Sequence, residues 1–262
     1  MRLLILRCGN SVPLPNVPTL DFSAVPSRAE LRALDAVTAE LLPVDDSPSL
    51  DEISRRPFVA HLGAPVPSPQ RPIDDLRVVV VGSDAAVGAV VTRLMRSDDL
   101  WVQVAFVPTE DSSRVARVWG VDGSFSQALT ASARPTCLIR DDAAQAIVGG
   151  ASISQWAGRD LTGEIVVDDE VIFRHEARRS WRGGVRRSGF VGASVTPLVG
   201  APGLAAAAVV PGAVADAAVA RGRAVQAGGV EIRVSVDGVS RKRPVDKVTM
   251  YRHLRDMQVV RP

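Results

Sequence analysis

The sequence predicts a small α/β domain with a parallel sheet, followed by a second, β-rich antiparallel domain. The first observation is a continuous apolar run at 76–81 that ends at Gly82, followed by helical spacing at 85–95 and another apolar run at 101–107. A strand, a glycine turn, a helix and a strand in this order form a βαβ unit, whose two strands are parallel. The second observation is that helical spacing gives way after about Ser124 to short strand-like runs, which are typical of antiparallel sheets.

Length and composition are those of a globular protein. The 262 residues suffice for one large or two modest domains, and 46% hydrophobic residues with 23% charged residues exclude a disordered chain. Lysine occurs only at Lys242 and Lys247, so arginine carries the positive charge, which indicates a GC-rich bacterial genome. The first residues show no cleavage pattern, and prolines and an aspartate interrupt the apolar stretch at 200–220. We therefore expect a cytoplasmic protein without a membrane span.

The remaining elements follow from local patterns. Ser27 and Glu30 have the spacing of a capping box and precede apolar residues at helical spacing, which predicts a helix. A further short helix is expected at 111–120, closed by its glycine. The other expected segments of the first domain are a strand at 3–7, a loop at 10–25, a strand at 57–62 and a linker at 63–72. The expected strands of the second domain lie at 136–140, 163–167, 171–174, 230–236 and 245–250.

The turn after the first apolar run of the βαβ unit is the strongest candidate for a ligand site. A buried strand that ends at a glycine and opens a helix brings free backbone N–H groups and the positive end of a helix dipole to one place. Such a place suits a phosphate, and Asp84 would stand there, at the edge of the sheet where open α/β sheets bind ligands. The next strand leads into a second candidate turn at 108–117. The two cysteines and three histidines lack the spacing of metal ligands, so no metal site is predicted.

These two turns resemble those of the diacylglycerol kinase and NAD kinase superfamily. In that family one strand leads into Gly-Gly-Asp-Gly-Thr and a helix, and the next strand leads into Pro-x-Gly-Thr-Gly-Asn-Asp before Ala-Arg. Gly82 and Asp84 match the first motif, while Pro108 and the pair at 116–117 match the second. The match is firmest over about residues 76–120, and the Asp-Gly pair that begins at Asp237 resembles a turn near the family's C-terminal end.

The resemblance implies a fold, its boundaries and a site. The α/β domain would span residues 1–123 and the β-rich domain residues 124–245, with 246–262 returning to the first domain. Asp84 and Asp237 would be the catalytic pair, Asp84 placing metal or phosphate and Asp237 serving as a base. The nucleotide site would be formed by Gly82, Ser83, Asp84, Ala85 and Thr109.

The motifs of the resembled family are altered in this chain. Ser83, Ala85 and Ala86 replace two glycines and the threonine of the first motif, so backbone freedom and a hydroxyl donor are lost. The run at 109–113 places Glu110 and Asp111 where the family has no acid, and carboxylates repel the phosphates of a nucleotide. Phosphoryl transfer depends on positioning and charge stabilisation, so these changes favour a fold retained and a kinase lost.

Three functions follow from these observations. The first is a catalytically degenerate relative that binds, regulates or assembles, without a cofactor. The second is an active ATP-dependent lipid or NAD kinase with an altered nucleotide loop, in which case ATP and Mg²⁺ would be its cofactors. The third is docking through the basic C-terminal part of the chain, where residues 171–262 hold 16 basic and 6 acidic side chains.

Partners follow from the same observations. A nucleotide or phospho-ligand is expected at the two turns. An acidic protein partner or a membrane surface would meet a basic cluster formed by Arg174, Arg178, Arg179, Arg182, Arg186 and Arg187. Nucleic-acid binding is not predicted, because no recognised module is present and Trp181 is the single aromatic residue within that cluster. The resemblance also implies a homo-oligomer.

Overall fold

The computed structural model describes residues 1–58, 63–157, 160–175, 191–210 and 213–262, and for residues 213–218 the backbone only. Five helices lie within these residues: α1 (Arg32–Leu41), α2 (Leu50–Ser54), α3 (Asp84–Arg96), α4 (Arg114–Trp119) and α5 (Phe125–Thr130). None of the helices in this part of the chain is long and apolar enough to cross a membrane.

A first sheet of six strands is formed within the described residues. Its strands, in spatial order, are β2 (Thr19–Phe22), β1 (Arg2–Cys8), β3 (Leu76–Gly82), β4 (Gln103–Pro108), β17 (Met257–Val260) and β5 (Ala133–Thr136). All neighbours are parallel except β17 and β5, which are antiparallel. The strand β17 thus joins the first sheet from the far end of the sequence.

A second sheet of eleven strands, all antiparallel, contains the remaining strands of the described residues. Its first strands are β6 (Ile139–Asp141), β7 (Ala146–Ile147), β8 (Ala151–Gln155), β9 (Gly163–Val167), β10 (Glu170–His175) and β11 (Gly192–Leu198). The others are β12 (Gly203–Val210), β13 (Ala213–Gly222), β14 (Ala224–Val236), β15 (Val239–Ser240) and β16 (Val245–Arg252). A mostly parallel first sheet beside this antiparallel one confirms the predicted fold class. The division of the chain at residue 123 stays a prediction, and β5 lies beyond it in the first sheet.

The first sheet is covered on both faces because its central strands carry apolar side chains in alternation. Leu6 and Val80 pack with α1 and α3 on one face. On the other face, Ile5 and Val81 pack with Ala128 of α5. The second sheet has a core of its own, built from small and branched side chains.

Several elements predicted from the sequence are confirmed. The βαβ unit is formed by β3, α3 and β4, and α4 ends at Gly120, whose φ of 69° is the left-handed conformation that glycine adopts easily. The capping box forms as well: Glu30 accepts a hydrogen bond from the Ser27 amide at 2.8 Å and donates its own amide to Ser27 Oγ at 3.3 Å. Regular helix begins one turn later, at Arg32.

The strand predicted at 57–62 is wrong where it can be compared. Pro57 and Phe58 belong to no strand, and Phe58 is 90% exposed; residues 59–62 lie outside the described residues. The apolar residues at 57–58 do not form a buried strand, because proline cannot donate to a strand ladder and no strand of the described residues pairs with them. The expected loop at 10–25 in turn contains β2, which pairs with β1.

A buried ion pair lies at the end of β16, and both of its side chains also bind the backbone of the segment that precedes β3. Arg252 Nη2 lies 2.9 and 3.1 Å from the two carboxylate oxygens of Asp256, and both side chains are excluded from solvent. Arg252 Nη1 also donates to the carbonyl of Gly63 at 2.6 Å, and Asp256 accepts from the Val66 amide at 3.0 Å.

We expect Arg252→Met to lower the free energy of unfolding by about 3–5 kcal/mol, because it leaves a buried carboxylate without its cation. Urea denaturation measures the change. The matched control is Arg7→Met, which removes the exposed ion pair with Asp21 and should have a far smaller effect. Equal losses in the two variants would contradict this account of the pair.

Candidate functional site

The two candidate turns meet at the carboxyl ends of β3 and β4. Gly82 pairs with Pro108 across the two strands, and the Thr109 amide donates to the Gly82 carbonyl at 3.0 Å. The predicted nucleotide-site residues Gly82 and Thr109 are therefore neighbours. This edge is where open α/β sheets bind their ligands.

Ser83 caps the helix that follows β3. Its φ and ψ of −81° and 168° are ordinary for any residue, so the turn as it stands does not need glycine here. Ser83 Oγ accepts a hydrogen bond from the Ala86 amide at 3.3 Å. That amide, which also donates to the Ser83 carbonyl at 3.0 Å, is among the N–H groups at a helix start that a phosphate could use. The hydroxyl oxygen of Ser83 therefore accepts a hydrogen bond that a bound phosphate could accept instead.

The carboxylate of Asp84 is engaged by the start of α4. Its Oδ1 accepts from Ser113 Oγ at 2.5 Å, and its Oδ2 accepts from the backbone amides of Arg114 at 2.7 Å and Val115 at 3.3 Å. Ser113 is itself the N-cap of α4 and accepts from the Ala116 amide at 2.9 Å. Asp84 thus joins the first candidate turn to the second through hydrogen bonds within the protein.

Asp237 is buried in the turn between β14 and β15 and binds the loop before β8. Its Oδ1 accepts from the amides of Gly149 and Gly150 at 2.8 and 2.9 Å, and its Oδ2 accepts from the Val148 amide at 3.0 Å. Burial raises the pKa of Asp237 to about 6, although these three N–H groups favour the ionised form; the charge of Asp84 adds to the rise.

The structure brings the two predicted catalytic aspartates to the same helix. Asp84 is the first residue of α3, and a Cβ placed on Gly88, in the second turn, would lie 3.0 Å from Asp237 Oδ2. A side chain at Gly88 would therefore crowd Asp237. Residues 153 positions apart in the sequence are thus near enough for Asp84 to act on the pKa of Asp237.

Arg114 connects this region to the second sheet. Its Nη2 donates to Ser194 Oγ at 3.0 Å, to the Val195 carbonyl at 2.9 Å and to Thr196 Oγ1 at 2.6 Å. Burial lowers the pKa of Arg114 below its usual value, against the opposing effect of Asp237 and then of Asp84. Gly150 leaves room for the guanidinium, since a Cβ there would overlap it.

A groove of about 440 Å³ runs along the second turn and α4. Glu110, Asp111 and Asp122 line it, with Arg117 as the only cation among the described lining residues. The Ser124 amide donates to Asp122 at 2.7 Å and lowers the pKa of that carboxyl, so Asp122 is ionised at neutral pH. An excess of carboxylates makes this groove unfavourable for a polyphosphate.

The predicted basic cluster is largely outside the described residues. Arg178, Arg179, Arg182, Arg186 and Arg187 all lie in the segment 176–190. Arg174 is described, and it forms an ion pair with Glu164 across β9 and β10. Docking through this cluster stays a prediction. Within the described ranges, no group of three or more His, Cys, Asp or Glu side chains could hold a metal ion.

Several residues that build this region have no role predicted from the sequence: Gly88, Ser113, Arg114, Gly149 and Gly150. The serine could have been found, because a serine three residues before Ala116 has the spacing of a helix N-cap. The glycine pair before β8 was also visible as a place of close backbone approach. No local sequence pattern predicts the hydrogen bonds between Arg114 and β11, because 80 or more residues separate the partners.

The raised pKa of Asp237 predicts a pH-dependent stability. A carboxyl whose pKa is higher in the folded state than in the unfolded state binds its proton more tightly when folded. The contribution of protonated Asp237 to the free energy of unfolding is fully present below about pH 4, and it is lost as the pH rises through about 6. Asp237→Asn should therefore remove a decline on the order of 3 kcal/mol between these limits, measured by urea unfolding at a series of pH values. Parallel pH profiles for the wild type and the variant would contradict the assignment.

The contact between Gly150 and Arg114 predicts a second effect on stability. Gly150 has a φ of 152°, which L side chains rarely adopt, and an added methyl group would overlap the guanidinium. Gly150→Ala should lower the free energy of unfolding by about 1–3 kcal/mol. Gly200→Ala is the matched control, because no atom would lie within 4 Å of its new Cβ. A loss no larger than that of the control would show that Arg114 does not fill this space.

Solved structures resemble this chain, although no protein-family model and no curated protein matches its sequence. A diacylglycerol kinase from Bacillus anthracis str. Sterne aligns with a TM-score of 0.58 at 10% identity, over 100% of this chain and 97% of the other. A putative diacylglycerol kinase from the same organism aligns with a TM-score of 0.59 at 11% identity, with the same coverage. An NAD kinase from Archaeoglobus fulgidus in complex with ATP aligns with a TM-score of 0.49 at 10% identity, over 100% and 94%. The two diacylglycerol kinase alignments span both sheets, and the chain therefore has the fold of the diacylglycerol kinase structures.

Proposed function

We propose that this protein is a catalytically degenerate relative of the diacylglycerol kinases, which acts by binding, regulation or assembly rather than by phosphoryl transfer. The observation that carries the proposal is the state of Asp84. Its carboxylate accepts hydrogen bonds from Ser113 Oγ and from the amides of Arg114 and Val115. A metal or a phosphate-bound metal at this carboxylate would compete with bonds that hold α4 in place, because both oxygens already accept them and one of about four acceptor sites is left.

The state of Asp237 supports the same proposal. A general base must reach the proton of an acceptor hydroxyl, directly or through one water molecule. The carboxylate of Asp237 is buried, and both of its oxygens accept backbone N–H groups of the loop 148–150. These bonds make Asp237 a residue that positions a loop.

The residues present at the two turns do not fit a nucleotide triphosphate with its Mg²⁺. Ser83 Oγ occupies an amide at the start of α3, and the first motif offers alanine where the resembled family has a threonine hydroxyl. The second turn adds Glu110 and Asp111 to the lining of the adjacent groove. Like charges and missing donors both weaken phosphate binding, so no step through ATP is derived for this chain.

The proposal predicts that Mg-ATP does not bind at this edge of the sheet. In a calorimetric titration with Mg-ATP, the purified wild-type protein and its Asp84→Asn variant should therefore give the same heat. Incubation with Mg-ATP and either diacylglycerol or NAD should yield no phosphorylated product. Ser83→Gly/Ala85→Gly/Ala86→Thr, which restores the first motif of the resembled family, should not restore binding, because the bonds of Asp84 and the acids of the second turn remain.

An active kinase would give a different pattern. Turnover, or micromolar binding of Mg-ATP that Asp84→Asn weakens at least about tenfold, would overturn the proposal. Asp84→Asn keeps one acceptor oxygen for the start of α4, so the variant tests the charge with little loss of the capping contact. Asp111→Asn, at an exposed position of the second turn, is the matched control and should not reduce any such activity.

A further inference from the structure

A cavity of about 290 Å³ lies on the outer side of α3, away from the two turns. Three arginines line it: Arg28 from the segment before α1, and Arg93 and Arg96 from the last turns of α3. The turn between β6 and β7, which belongs to the second sheet, supplies Ala143 and Gln145 to its wall. The cavity therefore lies between α3, the segment before α1 and a turn of the second sheet.

Two of the three guanidinium groups are held in place by the protein. Arg93 binds the carboxylate of Asp35 with Nε and Nη2, the Nε contact being 2.6 Å. Arg96 donates from Nε to the Ala144 carbonyl at 2.9 Å and from Nη2 to the Ala143 carbonyl at 3.1 Å. Groups that are already ordered lose less conformational entropy when a ligand binds.

The polar groups around the cavity are predominantly donors. The Nη1 atoms of Arg93 and Arg96 take part in no hydrogen bond with the described residues. Thr92 Oγ1 accepts from the Ala146 amide at 3.0 Å, which leaves its O–H free to donate, and the NH₂ group of the Gln145 side chain adds a further donor. No carboxylate stands among the described residues of the lining. Such an arrangement recognises an anion.

The charge of the cavity indicates which anion. Asp35 neutralises Arg93, whereas Arg28 and Arg96 have no ion pair with any described residue. Two positive charges therefore remain, and they match a dianion. A phosphate monoester carries a charge of about −1.5 to −2 at neutral pH, and its oxygens can accept charge-assisted hydrogen bonds from the Arg28 guanidinium and from Nη1 of Arg96.

The rest of the cavity is apolar. Pro26, Leu31 and Ala89 line it, so the cavity offers apolar contact beside the arginines. We propose that this cavity binds a phosphate monoester whose organic part is small and apolar, with its phosphate between Arg28 and Arg96. A volume of this size lies at the lower end of the range for small-molecule sites.

This site is separate from the one at Asp84. Arg96 follows Asp84 by twelve residues of α3, which at a rise of about 1.5 Å per residue places their backbones about 18 Å apart. The inference does not rest on the loss of kinase activity, and it holds whether or not the two turns bind a nucleotide.

Calorimetric titration with phenyl phosphate at low ionic strength tests the proposal. Phenyl phosphate should bind, and inorganic phosphate and phenyl sulfate should each bind at least about tenfold more weakly, because one lacks the apolar part and the other carries a single charge. Arg28→Glu should weaken phenyl phosphate at least about tenfold. Arg28 is exposed, and no hydrogen bond or ion pair joins it to the described residues, so this variant should keep the fold.

Matched variants separate a built site from a general attraction between charges. Arg71→Glu makes the same change at an exposed position outside the cavity and should leave the affinity unchanged. Ala89→Leu should fill the apolar part and weaken binding, whereas Ala36→Leu, at an exposed position of α1, should not.

Several outcomes would overturn the proposal. These are the absence of binding, an equal loss of affinity in the Arg71 and Arg28 variants, or inorganic phosphate that binds as tightly as phenyl phosphate. If Mg-ATP binds and Arg28→Glu abolishes the heat while Asp84→Asn does not, the nucleotide occupies this cavity. That result would support an anion site here and leave the proposed function intact.

Discussion

Three backbone N–H groups converge on the carboxylate of Asp237, and the part of the second sheet that lies beside α3 depends on this interaction. The loop at 148–150 is held against the turn between β14 and β15, and α3 passes beside the same carboxylate at Gly88. A buried charge is tolerated in a protein only when it is well solvated by hydrogen bonds. Asp237, for which the sequence predicted a catalytic role, is thus bonded to the protein backbone, and the surrounding glycines leave the space that it needs.

The two turns of the first sheet illustrate how internal capping competes with ligand binding. A helix start has N–H groups without intrahelical partners, and these are satisfied by side chains, by solvent or by a ligand. In this chain Ser83, Asp84 and Ser113 supply the acceptors. Two of these residues, Ser83 and Ser113, differ from the motifs of the resembled family, and each supplies an oxygen that stabilises a helix start.

The sequence predicts the βαβ unit well and the second sheet only in part. The run at 76–81 is a strong sequence signal for a strand, because both faces of β3 are buried and all of its residues are therefore apolar or small with one exception, Arg77. The stretch at 200–220 contains most of β12 and β13, yet it is rich in alanine and glycine, which have low strand propensity. The order of the strands predicts that Gly82, Asp84 and Thr109 lie close together. The bonds of Arg114 to β11 could not be predicted in this way, because they depend on how the two sheets pack against each other.

The position of β17 has a consequence for how the protein folds during synthesis. This strand lies between β4 and β5 in the first sheet, although it is made more than 120 residues after β5. Until residues 257–260 have left the ribosome, β4 has no neighbour on that side and β5 has none at all in the sheet. Contacts with such a large sequence separation slow folding and leave strand edges open to other chains. The first sheet therefore begins before the second sheet and is completed only after every strand of the second sheet has been made.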